Sequence, residues 1–207
     1  MKIFVDYDGT LTKNSEDEFM KAYFYAFSKK VNLPAEIAQK LVMESVYSAI
    51  KNESPNENMF DKFFDGFVVA MAPYGNHDRK YWIDFFIDFY KNEFDYVKTA
   101  IVPNEELINK VKTSDYQFIF ASNPIQPNIA MIKKIGFVGL SPENFIYIAC
   151  MENSTYAKPN PKFFKEIVDK LNLNPSDCIM IGDTDFDKAS EAVGIKFVHV
   201  NDSLNYL

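Results

Sequence analysis

Hydrophobic positions along this chain follow two rhythms, and the change between them divides it. Ile3, Phe4 and Val5 form an unbroken apolar run of β-forming residues with no polar alternation, the pattern of a strand covered on both faces of a parallel sheet. After Thr10 a spacing of three and four takes over. Phe19, Tyr23 and Phe27 recur at i, i+4 and i+8, and Lys29 and Lys30 close that segment where cations suit a helix C-terminus. Pro34 opens a second helical segment with Ile37, Leu41, Val42, Val46 and Ile50 on one broad face. Residues 51 to 58 are polar and read as a loop, after which Phe60, Phe63, Phe64, Phe67 and Met71 mark a third helix. A Pro73 to Asn76 turn leads to a fourth, carrying Trp82, Phe85, Phe86, Phe89 and Tyr90. Rings at this spacing are what a small helical bundle needs for its own core, so the bland reading of these aromatics outweighs a cofactor box.

From about residue 100 the pattern alternates between short apolar runs and amphipathic stretches. Strands are expected at Phe118 to Ala121, Phe145 to Ala149, Cys178 to Ile181 and Lys196 to Val200. Helices are expected from Glu105 to Val111, over 128 to 135 with Gly136 as its stop, from Asn160 and Pro161 to about Leu171, and from Phe186 to Val193 before Gly194. Strands and helices of these lengths predict an α/β fold, a three-layer Rossmann-like parallel sheet with helices on both faces. The helical segment inserted after the first strand reads as a cap, with the core at 1–14 and 98–207 and the cap at 15–97. In such sheets ligands bind outside the carboxyl ends of the strands, so the chemistry should lie at those ends.

Each strand end delivers a different chemical type. Asp6 and Asp8 follow the first strand two residues apart, so an extended backbone turns both carboxylates to one side, and Gly9 lets the chain pass close to a bound group. Ser122 and Asn123 supply a hydroxyl and an amide after the second strand, although Ser-Asn-Pro is also an ordinary turn. Lys158 stands just before a helix N-terminus, where the macrodipole repels a cation unless an anion lies between them. Asp183 sits at the tip of the strand ending at Ile181, and Asp185 and Asp187 open the next helix. Asp185 reads more simply as a helix-dipole partner than as a ligand.

Composition narrows the setting. In 207 residues, 47% are hydrophobic, enough for a substantial core. A net charge of -7 argues against a nucleic-acid or anionic-membrane surface, both of which need clustered Lys and Arg. No run of about eighteen apolar residues occurs, and Lys2 is followed by a strand pattern, not a signal-type apolar region. Cys150 and Cys178 fall at expected strand positions and read as small buried residues, which fits a reducing cytoplasm. A monomer is the default, with the cap face the contact surface if the chain dimerises.

Asp6-Tyr-Asp8-Gly-Thr10, then Ser122, Lys158 and Gly182-Asp-Thr-Asp-Phe-Asp187, resemble in order and separation the four motifs of haloacid dehalogenase-like (HAD) phosphatases, and the insertion is similar to that family's helical cap class. The resemblance covers nearly the whole chain. It implies a Mg²⁺-dependent phosphatase of a small phosphorylated metabolite, working through an aspartyl-phosphate on Asp6. Asp8 would be the general acid and base. Gly9, Thr10, Ser122, Asn123 and Lys158 would bind the phosphate. Asp6, the backbone carbonyl of Asp8 and Asp183 would bind the metal, with Asp187 holding a metal-bound water or Lys158. A phosphomutase would use the same residues, and a catalytically silent binding module would keep the fold without turnover. Dehalogenation gives Asp8 no obvious task. His77, Asp78 and Arg79 form a polar cluster near a cap turn that either touches the distal end of a substrate or is a solvated loop. His199 reads as an edge or core residue, and an aromatic cap with few cations leans toward a small or partly apolar phosphomonoester.

Overall fold

A computed structural model describes residues 1–14 and 16–207, Glu16 by its backbone alone. The expected cap boundary at residue 15 therefore lies outside the described residues. Five strands among them form one parallel sheet: β1 (Lys2–Val5), β2 (Gln117–Phe120), β3 (Phe145–Ile148), β4 (Cys178–Gly182) and β5 (Lys196–His199), in the order β3-β2-β1-β4-β5. β1 is central because its three apolar residues meet no water on either face. Ile3, Phe4 and Val5 are each 0% exposed, and Val5 aligns with Phe120 on one side and Ile181 on the other.

Helices α1 (Glu16–Val31), α2 (Ala35–Lys51), α3 (Met59–Met71) and α4 (Arg79–Asn92) lie between β1 and β2 in sequence, followed by α5 (Glu105–Thr113). Further along come α6 (Asn128–Phe137), α7 (Pro161–Lys170) and the one-turn α8 (Asp185–Lys188). The two-residue period of β1 sorts its side chains between layers. Ile3 and Val5 pack with Leu107, Ile108 and Val111 of α5 and Met131 and Ile135 of α6, while Phe4 packs with Phe163, Phe164 and Ile167 of α7. Helices therefore cover both faces of the sheet.

Helices α1 to α4 enclose an aromatic core of their own. Phe27 meets Phe89 edge to face at 5.2 Å, and Phe67 meets Phe86 at 5.0 Å and Trp82 at 5.4 Å, arrangements that suit the ring quadrupole. The chain enters and leaves this insertion through adjacent segments. Thr12 forms an antiparallel bridge with Pro103, Lys13 donates its N–H to the Val102 carbonyl at 2.7 Å, and Asn104 donates to Leu11 at 2.9 Å. Two crossings locked side by side fix where the helical unit hangs over the sheet.

Several boundaries differ from the sequence pattern. α6 runs through Gly136 to Phe137, and the left-handed glycine is Gly139, with φ of 73°. The expected helix from Phe186 to Val193 begins as α8 and continues as a tighter 3₁₀ turn, Ala189–Val193, stopped by Gly194 at φ of 86°. β2, β3 and β5 each end one residue early, and Cys150 lies two residues past β3, not in it. Both cysteines are nevertheless buried and free. His199 closes β5, at the sheet edge, and its Nδ1 accepts the Asn201 N–H at 3.2 Å.

Candidate active site

The carboxyl ends of β1 and β4 bring the acidic side chains together. Asp6 follows β1 directly, and its N–H donates to the Ile181 carbonyl at 3.0 Å, which pins it beside the end of β4. Beyond it the chain turns back at once: the N–H of Thr12 and its hydroxyl both donate to the Tyr7 carbonyl, at 3.0 and 3.2 Å. Gly9 takes the left-handed conformation in this turn, with φ of 71°, and a Cβ there would stand 2.0 Å from Oδ2 of Asp183. Glycine is thus required both by the backbone and by the approach of a carboxylate.

Lys158 is 2% exposed and donates to Asp6 at 3.0 Å and to Asp187 at 2.5 Å. Asp187 is fully buried, and its second oxygen accepts from the Asp183 and Thr184 N–H groups at 3.3 Å and the Thr184 hydroxyl at 3.2 Å. It therefore holds both Lys158 and the loop after β4. Burial pushes the Asp6 carboxyl up to about 7, since desolvation outweighs the attraction of Lys158, and Asp187 and Asp8 add to the rise. Burial also opposes the charge on Lys158, yet Asp6 and Asp187 together carry its pKa above the ordinary lysine range, so it stays an ammonium. Asp183 is raised as well, by burial first and then by Asp187.

Asp6, Asp183 and Asp187 place one oxygen each within 4.8 Å of one another. Among the described residues Oδ1 of Asp183 is buried without a hydrogen-bond partner, as are Oδ1 of Asp8 and Oγ of Thr10. An orphaned carboxylate oxygen beside two more carboxylates is a donor set that fits a hard divalent cation. Asp187 is already committed to Lys158 and the loop, which leaves Asp6 and Asp183 as the side chains free to ligate directly.

The remaining expected residues divide. Ser122 and Asn123 line the same cavity as Asp6, Asp8 and Lys158. The Asn123 amide, however, clamps the Lys158 backbone, accepting its N–H at 3.1 Å and donating to its carbonyl at 3.5 Å. Thr10 is fully buried and lies outside the cavity lining. Asp185 is exposed at the start of α8. His77 stacks on Tyr81 at 3.8 Å, and Arg79 pairs with Asp61 and Asp65 of α3. Neither lines the cavity: Arg79 ties the start of α4 to α3, while His77 packs against the first turn of α4.

Lys134 is the site residue that pattern reading missed. Its Nζ donates to Oδ2 of Asp8 at 2.8 Å and lies 4.4 Å from the Tyr7 ring centre and 4.7 Å from that of Phe19. The signal was present: Lys134 falls at i+3 from Met131 and beside Ile135, on the buried face of α6.

The sequence model of the haloacid dehalogenase-like hydrolases matches residues 3–200. Among solved structures the chain is similar to L-2-haloacid dehalogenase from Xanthobacter autotrophicus, at 12% identity and a TM-score of 0.61 over 95% of this chain and 75% of that one. It is similar to a HAD phosphatase from Thermococcus onnurineus, at 18% identity and 0.57 over 96% and 86%. It is also similar to a HAD family enzyme from Bacteroides thetaiotaomicron in complex with magnesium and inorganic phosphate, at 15% identity and 0.55 over 96% and 92%. No curated protein matches. At these identities the likenesses speak for the fold. No helix among the described residues is long and apolar enough to cross a membrane.

Proposed function

Because the chain belongs to the haloacid dehalogenase-like hydrolase family, we propose that it is a Mg²⁺-dependent phosphatase hydrolysing a small phosphomonoester through an aspartyl-phosphate on Asp6. The observation that carries the choice of phosphoester over haloacid is Asp8. A second carboxyl group stands two residues from the nucleophile in the cavity wall, one oxygen fixed by Lys134 at 2.8 Å and the other buried without a partner. A halide leaves as a stable anion and needs no proton, whereas an alkoxide leaving phosphorus does.

Asp6 attacks phosphorus as the bond to the ester oxygen breaks, and the Asp8 carboxyl protonates that oxygen. In the second half Asp8 takes a proton from water as the water attacks phosphorus and the bond to Asp6 breaks, which returns both residues to their starting state. Lys158 stays charged between Asp6 and Asp187 and offsets the repulsion between an anionic nucleophile and an anionic substrate. Ser122 offers a hydroxyl at the same wall. Asp6, the Asp8 backbone carbonyl and Asp183 would hold Mg²⁺, which supplies charge neutralisation at the phosphoryl oxygens.

The test is Asp6→Asn with an aryl phosphate and Mg²⁺. Release of inorganic phosphate should vanish while circular dichroism is unchanged, and inorganic phosphate as product separates hydrolysis from return of the group to the substrate. Retained turnover by the asparagine variant, or chloride release from a 2-chloro acid by an enzyme inert toward phosphates, would overturn the reading.

A further inference from the structure

The acidic site opens into a cavity of about 880 Å³ that continues between the sheet and all four helices of the insertion. Its polarity is divided by element. Of the residues lining it, Lys13, Lys134, Lys158 and every carboxylate come from outside α1 to α4, while the fourteen contributed by those helices carry no charge. Met20, Phe24, Met43, Phe64, Ile83 and Ile87 are representative of that wall. Its polar atoms on these helices are the hydroxyls of Tyr23 and Tyr90, and these bond to each other at 3.0 Å.

The basic side chains of the helical insertion that the structure pairs are engaged elsewhere. Lys30 pairs with Asp88 and Glu93, Lys62 donates to the Thr155 carbonyl at 2.8 Å, and Arg79 pairs with α3. A second phosphate or a carboxylate would meet no countercharge on the helical wall, and a sugar would find there only the two tyrosine hydroxyls, already bonded to each other. Each unmatched polar group there would lose its water without replacement. The core side of the cavity is polar, with Lys13, Gln126, Asn128 and Glu152 in its lining. Protein interiors, however, leave few voids larger than a water molecule, so a chamber of this size that runs on from a phosphate site along an apolar helical wall is shaped for an apolar tail.

Resting on the phosphatase reading above, we propose that the substrate is an amphiphilic phosphomonoester, a primary phosphate on an unbranched or prenyl-like hydrocarbon chain, its phosphate at Asp6 and its chain lodged against α1 to α4. Recognition is then carried by buried methylenes, and specificity rises with chain length until the chamber is filled.

The experiment is steady-state phosphate release, with Mg²⁺, from ethyl, butyl, hexyl and octyl phosphate, with a hexose phosphate and an aryl phosphate in parallel. Expected is a rise in kcat/KM of about fourfold per added methylene before a plateau, with the hexose phosphate below butyl phosphate. The same rise should appear as tighter calorimetric binding of the matching alkylphosphonates, a readout independent of turnover. Met43→Gln, a substitution at a partly exposed lining position, should cut the octyl-to-ethyl ratio about tenfold or more. If that variant does not fold, the phosphonate series on the unaltered protein decides alone. Turnover of the aryl phosphate with a flat chain-length profile, or preference for the hexose phosphate, overturns the substrate class and leaves the phosphatase reading standing. Inertness toward every phosphate removes both.

Discussion

Lys134 shows how one side chain can serve packing and chemistry together. Its ammonium lies over the Tyr7 and Phe19 rings and reaches Asp8, so a buried lysine has its charge answered on each side. If it holds Asp8 in the orientation that proton transfer requires, Lys134→Met keeps the stem and releases the carboxyl. The expected result is a fall in kcat of about 10- to 100-fold, a fraction of what a general acid supplies, with KM changed much less. A variant with unchanged kcat would make the contact merely structural. Lys134 was hard to see because a lysine at helical spacing is normally read as a solvated face. Asp6 and Asp183 were legible, since strand ends announce themselves by an apolar run stopping at a charge, and Lys158 was legible as a cation placed just before a helix N-terminus. What no spacing could show is that the Asn123 amide faces the Lys158 backbone, a pairing across 35 positions of sequence.

Where β4 gives way to α8, the loop is built around the absence of a side chain. A Cβ on Gly182 would lie 2.3 Å from Cγ of Asp187, well inside contact distance, and Asp187 is the carboxylate that carries Lys158. Gly182→Ala must therefore displace Asp187 and with it the ammonium beside Asp6. Activity should fall at least about tenfold, alongside a loss of about 1–3 kcal/mol from overpacking. Gly136→Ala is the matched control: it lies within α6 with nothing near its Cβ position, and alanine there should stabilise by about 0.5–1 kcal/mol with activity intact. Chemical denaturation and phosphate release on the two variants separate these outcomes. The same pair explains an error of pattern reading. Glycine in a sequence marks either a left-handed stop or a close approach, and Gly136 is neither, so α6 continues to Phe137 while Gly139 supplies the stop. Element order and type followed from apolar periodicity, because β1, β2 and β4 are buried on both faces; the ends depended on local contacts that periodicity does not encode.

Across the whole molecule, three carboxylates converge with one ammonium, and this concentration of charge links stability to pH and would link it to any cation bound there. Asp6 goes from an ordinary carboxyl value of 3.8 to about 7 in the folded, metal-free protein. Between those values the folded state keeps a proton that the unfolded chain has released, so stability is fully present below the lower value and declines as pH rises through the upper one. Asp183 is shifted in the same direction and adds to the decline. A divalent cation at these oxygens replaces the proton, so it should bind better as pH rises. In EDTA the melting temperature should therefore drop between about pH 4 and pH 7, and Asp6→Asn should flatten part of that drop. Mg²⁺ at about a hundred times its Kd should restore roughly 2.7 kcal/mol, about 5–10 °C for a chain of this length, at pH 8 and distinctly less at pH 5. Equal Mg²⁺ shifts at both pH values, or an asparagine variant that melts with an unaltered pH profile, would show that the Asp6 carboxyl neither retains that proton nor exchanges it for the metal.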